Sequence, residues 1–486
     1  MKISFPTYYA RLAAYIVSLI LFELDILCTK NPVFMQKQKK NTVIPQSRIQ
    51  TKKATLEKIN LNVAGIDIGS EKLYVAILEQ PVKCFSSFTA GVEELILYLK
   101  QFGIKSVVME ATGIYWLPLY EMLEAAGFEV CLVNGAHSKN VPGRKTDVLD
   151  AEWLRELHTY GLLRPSFIPS DLIRLLRYYV RLRDDHVSMA ASHINHMQKN
   201  LDAMNLKLHK VLSDIMGVSG MNVIRAIIAG VRDPQKLLEL CTQTLQGTKK
   251  EEILLSLKGN YRSEYIFGLK QALELWEYYQ EKERECDKQI EQILHQLTDH
   301  LPTPENLSKP KEIRSNKPEI PDLHLLMTKL CGTDITQIPG FNAYSATKII
   351  SEIGTDLSKF PDAKHFTSWL GLSPGISQSG AKRKNKRRKI INRAAQVLRQ
   401  LALNVGNGKH TALSSFYKRI RSRAGAMVAI KATARKIAVY LFHFIQKGAT
   451  FVEEGIKRYE ERYRKQQEKF LEKRAKELGF NLVPIT

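Results

Sequence analysis

Two short apolar runs end in carboxylates: Val63-Ala64-Gly65-Ile66-Asp67-Ile68-Gly69 carries Asp67, and Ser106-Val107-Val108-Met109-Glu110 carries Glu110. Asp147 and Asp150 stand three apart in Lys145-Thr146-Asp147-Val148-Leu149-Asp150-Ala151, a spacing that puts both on one face of a helix. Strand-end acids beside a helix-borne pair make a cage for hard divalent ions, because Mg2+ takes a few carboxylate oxygens and completes its shell with water and phosphate. Without a cation, two such charges about 4 Å apart repel by roughly 4 kcal/mol at an effective dielectric near 20. The cluster therefore calls for Mg2+ or Mn2+, and a two-ion site stabilises the attacking and leaving oxygens of a phosphoryl transfer. Taken singly, each acid reads as a surface residue or cap, Asp147 beside a helix macrodipole for instance; their joint occurrence is what argues for a cage.

The elements that must position them follow from periodicity. The run at Val63 and a second β-rich run, Lys72 to Leu78, flank a Gly-Ser turn and read as a hairpin. Helical spacing from Val92 to Phe102, a strand over Ser106 to Glu110, a helix from about Trp116 to Ala126, a strand from Glu129 to Val133 and a helix from Asp147 to Tyr160 complete an α/β unit with a mixed sheet. From Ser170 to Asp299 the pattern is helical, and charged faces such as Glu281-Lys282-Glu283-Arg284-Glu285 suit a paired-helix spacer. Pro302 to Pro321 reads as a linker, a third domain starts near Leu323, and a basic helical tail runs from Tyr459 to Leu478.

The whole chain of 486 residues has 72 Lys plus Arg against 49 Asp plus Glu, a net +23, with 44% apolar residues and 25% charged. That composition excludes global disorder, allows about two to four domains, and implies a polyanionic partner, nucleic acid or an anionic membrane surface. Lys382, Arg383, Lys384, Lys386, Arg387, Arg388, Lys389 and Arg393 form the densest charge, with no acid among them. If half of them reach phosphates, log affinity falls against log salt with a slope near about −4. The six cysteines are scattered without a Cys-x-x-Cys pair, which fits a reducing compartment, the cytoplasm, rather than a disulfide frame or zinc ribbon. Leu12 to Phe22 is an apolar run of eleven residues, short of the roughly 20 a spanning helix needs, so no membrane is expected. Its length suits a secretory segment better, but the small-residue cleavage pattern is absent. Residues 1–56 read as an unstructured extension or a start assigned too far upstream, with Met35 an alternative start. His186, His193 and His196 lack neighbouring acids or cysteines to complete a metal site and read as surface or packing residues. Tyr115, Trp116 and Tyr120 read as core rather than a base-stacking platform.

Gly-Ile-Asp-Ile-Gly-Ser at 65–70, Met-Glu-Ala-Thr-Gly-Ile-Tyr at 109–115, Asn-Val-Pro-Gly-Arg-Lys-Thr-Asp-Val-Leu-Asp-Ala-Glu-Trp at 140–153 and Gly-Leu-Leu-Arg-Pro-Ser-Phe-Ile-Pro at 161–169 resemble, in order and spacing, the N-terminal domain of DEDD transposases of the insertion-sequence one-ten family. The resemblance implies a RuvC-like member of the RNase H fold, with Asp67, Glu110, Asp147 and Asp150 as catalytic acids and metal ligands. Ile335-Thr336-Gln337-Ile338-Pro339-Gly340-Phe341-Asn342, followed by Ala343 to Gly354, reads as a helix-hairpin-helix whose turn at Gly340 offers backbone N–H groups to a phosphate. Phe366 to Gly375 and Ser377-Gln378-Ser379-Gly380-Ala381-Lys382 resemble the family's C-terminal domain. By that resemblance Ser379 is the nucleophile that forms a phosphoserine link to DNA, with Ser377 the fallback because Ala381 replaces a frequent glycine.

The resemblance runs from about residue 60 to the C-terminus. It divides the chain into the extension 1–56, a RuvC-like catalytic domain 57–165, a helical coiled-coil spacer and linker 166–322, a mainly helical serine domain 323–450 and a basic tail 451–486. It further implies double-stranded DNA at element ends and target, a structured guide RNA encoded by the element, and a homo-oligomer, dimer or tetramer. Two other classes share these residues. One is a metal-dependent structure-specific endonuclease of the RuvC resolvase kind, in which Ser379 is incidental; the other is a non-catalytic nucleic-acid scaffold, against which the presence of all four acids and the serine weighs.

Overall fold

The computed structural model describes residues 57–135, 147–304, 307–374, 376–379, 382–385, 392–408 and 411–481. The readings of residues 1–56, of Gly380 and Ala381, and of Lys386, Arg387, Arg388 and Lys389 lie outside them. The chain divides into two compact units, Met1–Ser166 and Phe167–Thr486.

In the first unit, β1 (Val63–Ile68), β2 (Lys72–Ile77) and β3 (Lys83–Ser86) are followed by α1 (Thr89–Gln101), β4 (Ser106–Glu110), α2 (Trp116–Ala125), β5 (Glu129–Val133) and α3 (Asp147–Thr159). The five strands form one sheet in the order β3-β2-β1-β4-β5. β1 pairs antiparallel with β2, which pairs antiparallel with β3; β1 pairs parallel with β4, and β4 with β5. The expected hairpin is closed where the Gly69 N–H donates to the Lys72 carbonyl at 2.9 Å. β3 escaped the sequence reading because it is a four-residue edge strand with one buried side chain, Phe85, too short to show a period. The central strands β1 and β4 are buried through Val63–Ile66 and Ser106–Met109, as strands covered on both faces must be.

The second unit is helical apart from a two-stranded ribbon, β6 (Ile376–Ser379) and β7 (Lys382–Asn385). The spacer is a pair of long helices, α4 (Asp171–Ala203) and α10 (Ser263–Thr298). Their antiparallel pairing follows from the contacts: Ile173 and Leu176 of α4 share a core with Ile290, Ile293 and Leu294 of α10, and Met197 and Leu201 share another with Leu269 and Ala272. Five short helices, α5 (Leu208–Val211), α6 (Val218–Ile228), α7 (Pro234–Glu239), α8 (Gln243–Thr248) and α9 (Lys250–Ser256), fill the far end of that pair. Near its root lie α11 (Leu323–Cys331), a 3-10 turn at Ile335–Gln337, α12 (Ala343–Ile353), α13 (Ala363–Trp369), α14 (Arg393–Asn407), α15 (Ala412–Ala424) and α16 (Ala426–Glu477), the last kinked at Gly448. The Pro-rich segment read as a linker is tied down: Ile320 joins the core, and the Glu319 N–H donates to Asp287 Oδ2 at 2.9 Å.

A buried ionic latch joins the root of the pair to α12. The Arg183 side chain, 1% exposed, donates to both Asp287 oxygens at 2.5 and 3.3 Å and to the Tyr344 hydroxyl at 2.6 Å. Tyr344 in turn donates to Asp184 at 3.1 Å. Beside it, Arg181 makes two 2.7 Å hydrogen bonds to Glu352, and Arg177 donates to the Ser351 and Glu352 carbonyls at the end of α12, groups that lack intrahelical donors. His186 and His193 pack their rings on Tyr279, a helix-packing role. Among the described residues no helix is long and apolar enough to cross a membrane.

Removing one partner of a buried pair leaves an uncompensated charge. Asp287→Ala is expected to cost about 3–5 kcal/mol, read as a fall in the urea midpoint, and Arg183→Met/Glu283→Gln/Asp287→Leu, which also removes the buried carboxylate 3.8 Å from Arg183, to recover most of it.

Candidate active site

Asp67 is the fifth residue of β1 and Glu110 the last of β4. The parallel register pairs Ile66 with Met109, so the two acids come one step later at the same end of neighbouring strands. Both are half-buried, whereas Asp147 and Asp150, in the first turn of α3, are exposed. The four charges meet electrostatically at Asp67. Burial, then the charges of Asp147, Asp150 and Glu110, push its carboxyl up from 3.8 to about 6.

The sequence places α3 there by a close backbone contact. A β-carbon on Gly65 would lie 2.2 Å from the Ala151 carbonyl oxygen and 2.5 Å from the Arg155 nitrogen, so only glycine lets the helix cross β1 at this distance. Residue 65 shares a sheet face with residue 67, and Ala151 is one turn on from Asp147. The contact therefore brings the acid-bearing turn toward Asp67. At the other end of α3, buried His158 bonds Ser106 Oγ at 2.8 Å, tying it to the start of β4; α3 thus runs antiparallel to both central strands. Gly135 serves Glu110 similarly, since a β-carbon there would lie 2.0 Å from Glu110 Oε1. Neither glycine figured among the candidate residues. A glycine inside an apolar strand is itself a sign of close backbone approach, and that was the available signal for Gly65.

Among the described residues no three His, Cys, Asp or Glu side chains converge closely enough to hold an ion by themselves. The donor set still suits a hard divalent ion, which binds through one or two carboxylates and completes its shell with water and substrate phosphate. The raised Asp67 carboxyl reflects burial first and then the negative charges of Asp147, Asp150 and Glu110 gathered around it. Tyr115 departs from the expected core role: it is 52% exposed, while Tyr120 is buried and Trp116 half-buried.

In the second unit Ser377 and Ser379 lie on β6, where the antiparallel register sets Ser379 opposite Lys382, Gln378 opposite Arg383 and Ser377 opposite Lys384. Arg393 opens α14 and is exposed. Gly340 adopts a φ of +92° ahead of α12, whose N-terminus Asn342 and Ser345 close with a reciprocal capping box. A β-carbon on Gly340 would sit 2.6 Å from Val405 of α14, so this turn is also packed tightly from behind. The basic run proves part of a longer feature: residues 363–452 hold 19 Lys and Arg and no Asp or Glu. Crowding of like charge is felt within it, where burial and Arg419 push the Lys436 ammonium down to about 8.

Two outcomes follow for the acids. Because folding raises the Asp67 pKa, the stability this group contributes is present below 3.8 and lost as pH rises through about 6. In chelated protein Asp67→Asn is therefore expected to raise the thermal midpoint at neutral pH, with the gain vanishing below pH 3.8. Gly65→Ala is expected to displace α3 and weaken Mn2+ binding, read by calorimetry, by about tenfold or more. Leu154→Ala, which destabilises the same helix without forcing it off the sheet, is expected to leave Mn2+ affinity near wild type.

A transposase family model of the DEDD IS110 type matches residues 64–206, and a second, described as transposase IS116/IS110/IS902 family, matches residues 333–417. No match is found among curated proteins. The first match contains all four acids and the second both candidate serines. A DEDD transposase domain points to dependence on a divalent metal, and a transposase has DNA as its partner. With both domains present in order on one chain, the protein belongs to the IS110 family of insertion-sequence transposases and is a DNA-processing enzyme.

Proposed function

We propose that this transposase cuts and rejoins double-stranded DNA through a serine nucleophile, Ser379, assisted by divalent ions at Asp67, Glu110, Asp147 and Asp150. The observation that carries the reading is the pairing of the two family matches, one over the acids and one over the serine-bearing ribbon. The sheet order β3-β2-β1-β4-β5, with its antiparallel first half and parallel second half, supports an RNase H-like, RuvC-like assignment of the first unit. The left-handed Gly340 between the 3-10 turn and the capped α12 supports a helix-hairpin-helix. Domain limits at 57–165, 166–322, 323–450 and 451–486 go with this reading.

In the proposed chemistry the Ser379 hydroxyl oxygen bonds to a DNA phosphorus and the bond from that phosphorus to one deoxyribose oxygen breaks. The serine gives up its proton and the departing deoxyribose oxygen gains one. Attack by the deoxyribose hydroxyl of a second strand on the phosphoserine reverses the sequence and joins the new pair. One phosphodiester is exchanged for another, so no external energy source is needed. Mg2+ or Mn2+, when bound, lowers the charge on the phosphate oxygens and stabilises the alkoxide. The acids hold their position through α3 and the strand ends, while Lys382, Arg383, Lys384 and Arg393, with Lys386, Arg387, Arg388 and Lys389, supply positive charge along the chain next to the serine. A guide RNA encoded by the element, assembly as a dimer or tetramer and a cytoplasmic setting complete the proposal.

The test is the covalent intermediate. Wild-type protein incubated with element-end DNA and Mg2+ is expected to yield a protein–DNA adduct that survives denaturant. Ser379→Ala is expected to abolish it and Asp147→Ala to reduce it at least about tenfold. Retention of recombination in Ser379→Ala overturns the serine mechanism, and cleavage without any adduct favours a metal-dependent endonuclease.

A further inference from the structure

The corner between α15 and α16 has no role in the chemistry above. α15 ends in Arg421-Ser422-Arg423-Ala424, Gly425 turns the chain with a φ of +85°, and α16 opens with Ala426-Met427-Val428. The inward face of α16 starts at Ala429 and continues through Ala434, Ile437, Ala438 and Leu441, all buried. Met427 and Val428 point away from that core and are 81% and 52% exposed.

Single exposed apolar residues need no explanation, but this pair has unusual surroundings. It lies inside the acid-free stretch 363–452, and Arg421 and Arg423, both exposed, have no carboxylate in that stretch to neutralise them. Lys418 and Arg419 extend the charge along the same helix. A partner for this corner must offer negative charge to the rim and apolar contact to the tip. Duplex DNA offers both, phosphates outside and stacked bases within. Proteins that bind the minor groove combine arginines with apolar wedges, often methionine, that part a base step and kink the duplex. Met suits such a gap because its side chain is flexible and polarizable.

We propose that Met427 and Val428 form a wedge that enters the minor groove of duplex DNA and unstacks one base step, while Arg421 and Arg423 hold the flanking phosphates. The inference rests on DNA as the partner of the family and is independent of which residue is the nucleophile.

The experiment uses the full chain and duplexes spanning the junction between element end and flanking DNA, with 2-aminopurine tiled along the sequence and a fluorophore pair at the ends. Wild type is expected to raise 2-aminopurine fluorescence at one step and to shorten the end-to-end distance. Met427→Ser/Val428→Ser is expected to return both signals to those of free DNA with the salt slope and melting temperature unchanged; Met427→Leu, which keeps an apolar tip, is expected to retain them. Arg421→Ala/Arg423→Ala is expected to reduce the magnitude of the salt slope by about 2. The proposal is overturned if the double serine variant keeps the step-specific signal. It is also overturned if that variant changes the sedimentation mass while DNA bending persists, which would make the pair a contact between copies, or if the signal arises with duplex RNA and not with DNA.

Discussion

The crossing of two backbones, β1 at Gly65 and α3 at Ala151 and Arg155, governs the first unit. With no side chain between them, helix and strand approach until a β-carbon would overlap a carbonyl oxygen, and everything at the end of the sheet inherits that spacing. Two strand-end acids and two helix acids are brought into each other's field against their own repulsion. Apolar packing under α3, with Ala151 and Leu154 buried, and the His158–Ser106 bond at its far end hold the arrangement. Fold stability and site charge therefore oppose one another at Asp67, a conflict that a bound cation would relieve.

The second unit concentrates charge of the other sign, in sequence rather than at a point. Its carboxylates lie mainly on the long paired helices and toward the tail, while ninety residues containing the serine ribbon, α14, α15 and the start of α16 have none. Within the latch, by contrast, the Arg183 charge is matched to Asp287 almost atom for atom. The contrast separates two uses of arginine. In the latch the charge is buried and neutralised internally, whereas exposed Arg421 and Arg423 lie in a stretch with no carboxylate of its own. The acid cluster at the end of the sheet calls for cations, and the acid-free stretch of the second unit calls for anions.

Much of this was legible in the residues. The hairpin, the parallel strands, the helices of the first unit and the carboxylates at strand ends could be read because apolar runs have a period and a carboxylate at the end of one is conspicuous. β3 was not, since Lys83, Cys84, Phe85 and Ser86 carry no pattern. Gly65 and Gly135 were missed for a different reason: what makes them matter is an atom that is absent, opposite residues eighty-six or more positions away in one case and twenty-five in the other. The latch of Arg183, Asp287 and Tyr344 was equally hidden, because in sequence it is three polar residues on three amphipathic helices. The exposure of Tyr115 and Met427 could not be told from that of their buried neighbours Tyr120 and Ala429 by type.

The paired helices α4 and α10 have 33 and 36 residues, and at 1.5 Å per residue a helix of that length reaches roughly 50 Å. Held at its root by Arg177, Arg181 and Arg183, such an arm amplifies angular error. From Arg183 to the end of α4 at Ala203 is about 30 Å, so a tilt of about 5° at the latch displaces the tip by roughly 2.6 Å, close to the length of a hydrogen bond. Three arginines at the fulcrum thus set where the small cluster of helices at the opposite end is delivered, and this cluster behaves as the tip of a lever whose aim is decided by side chains it never touches.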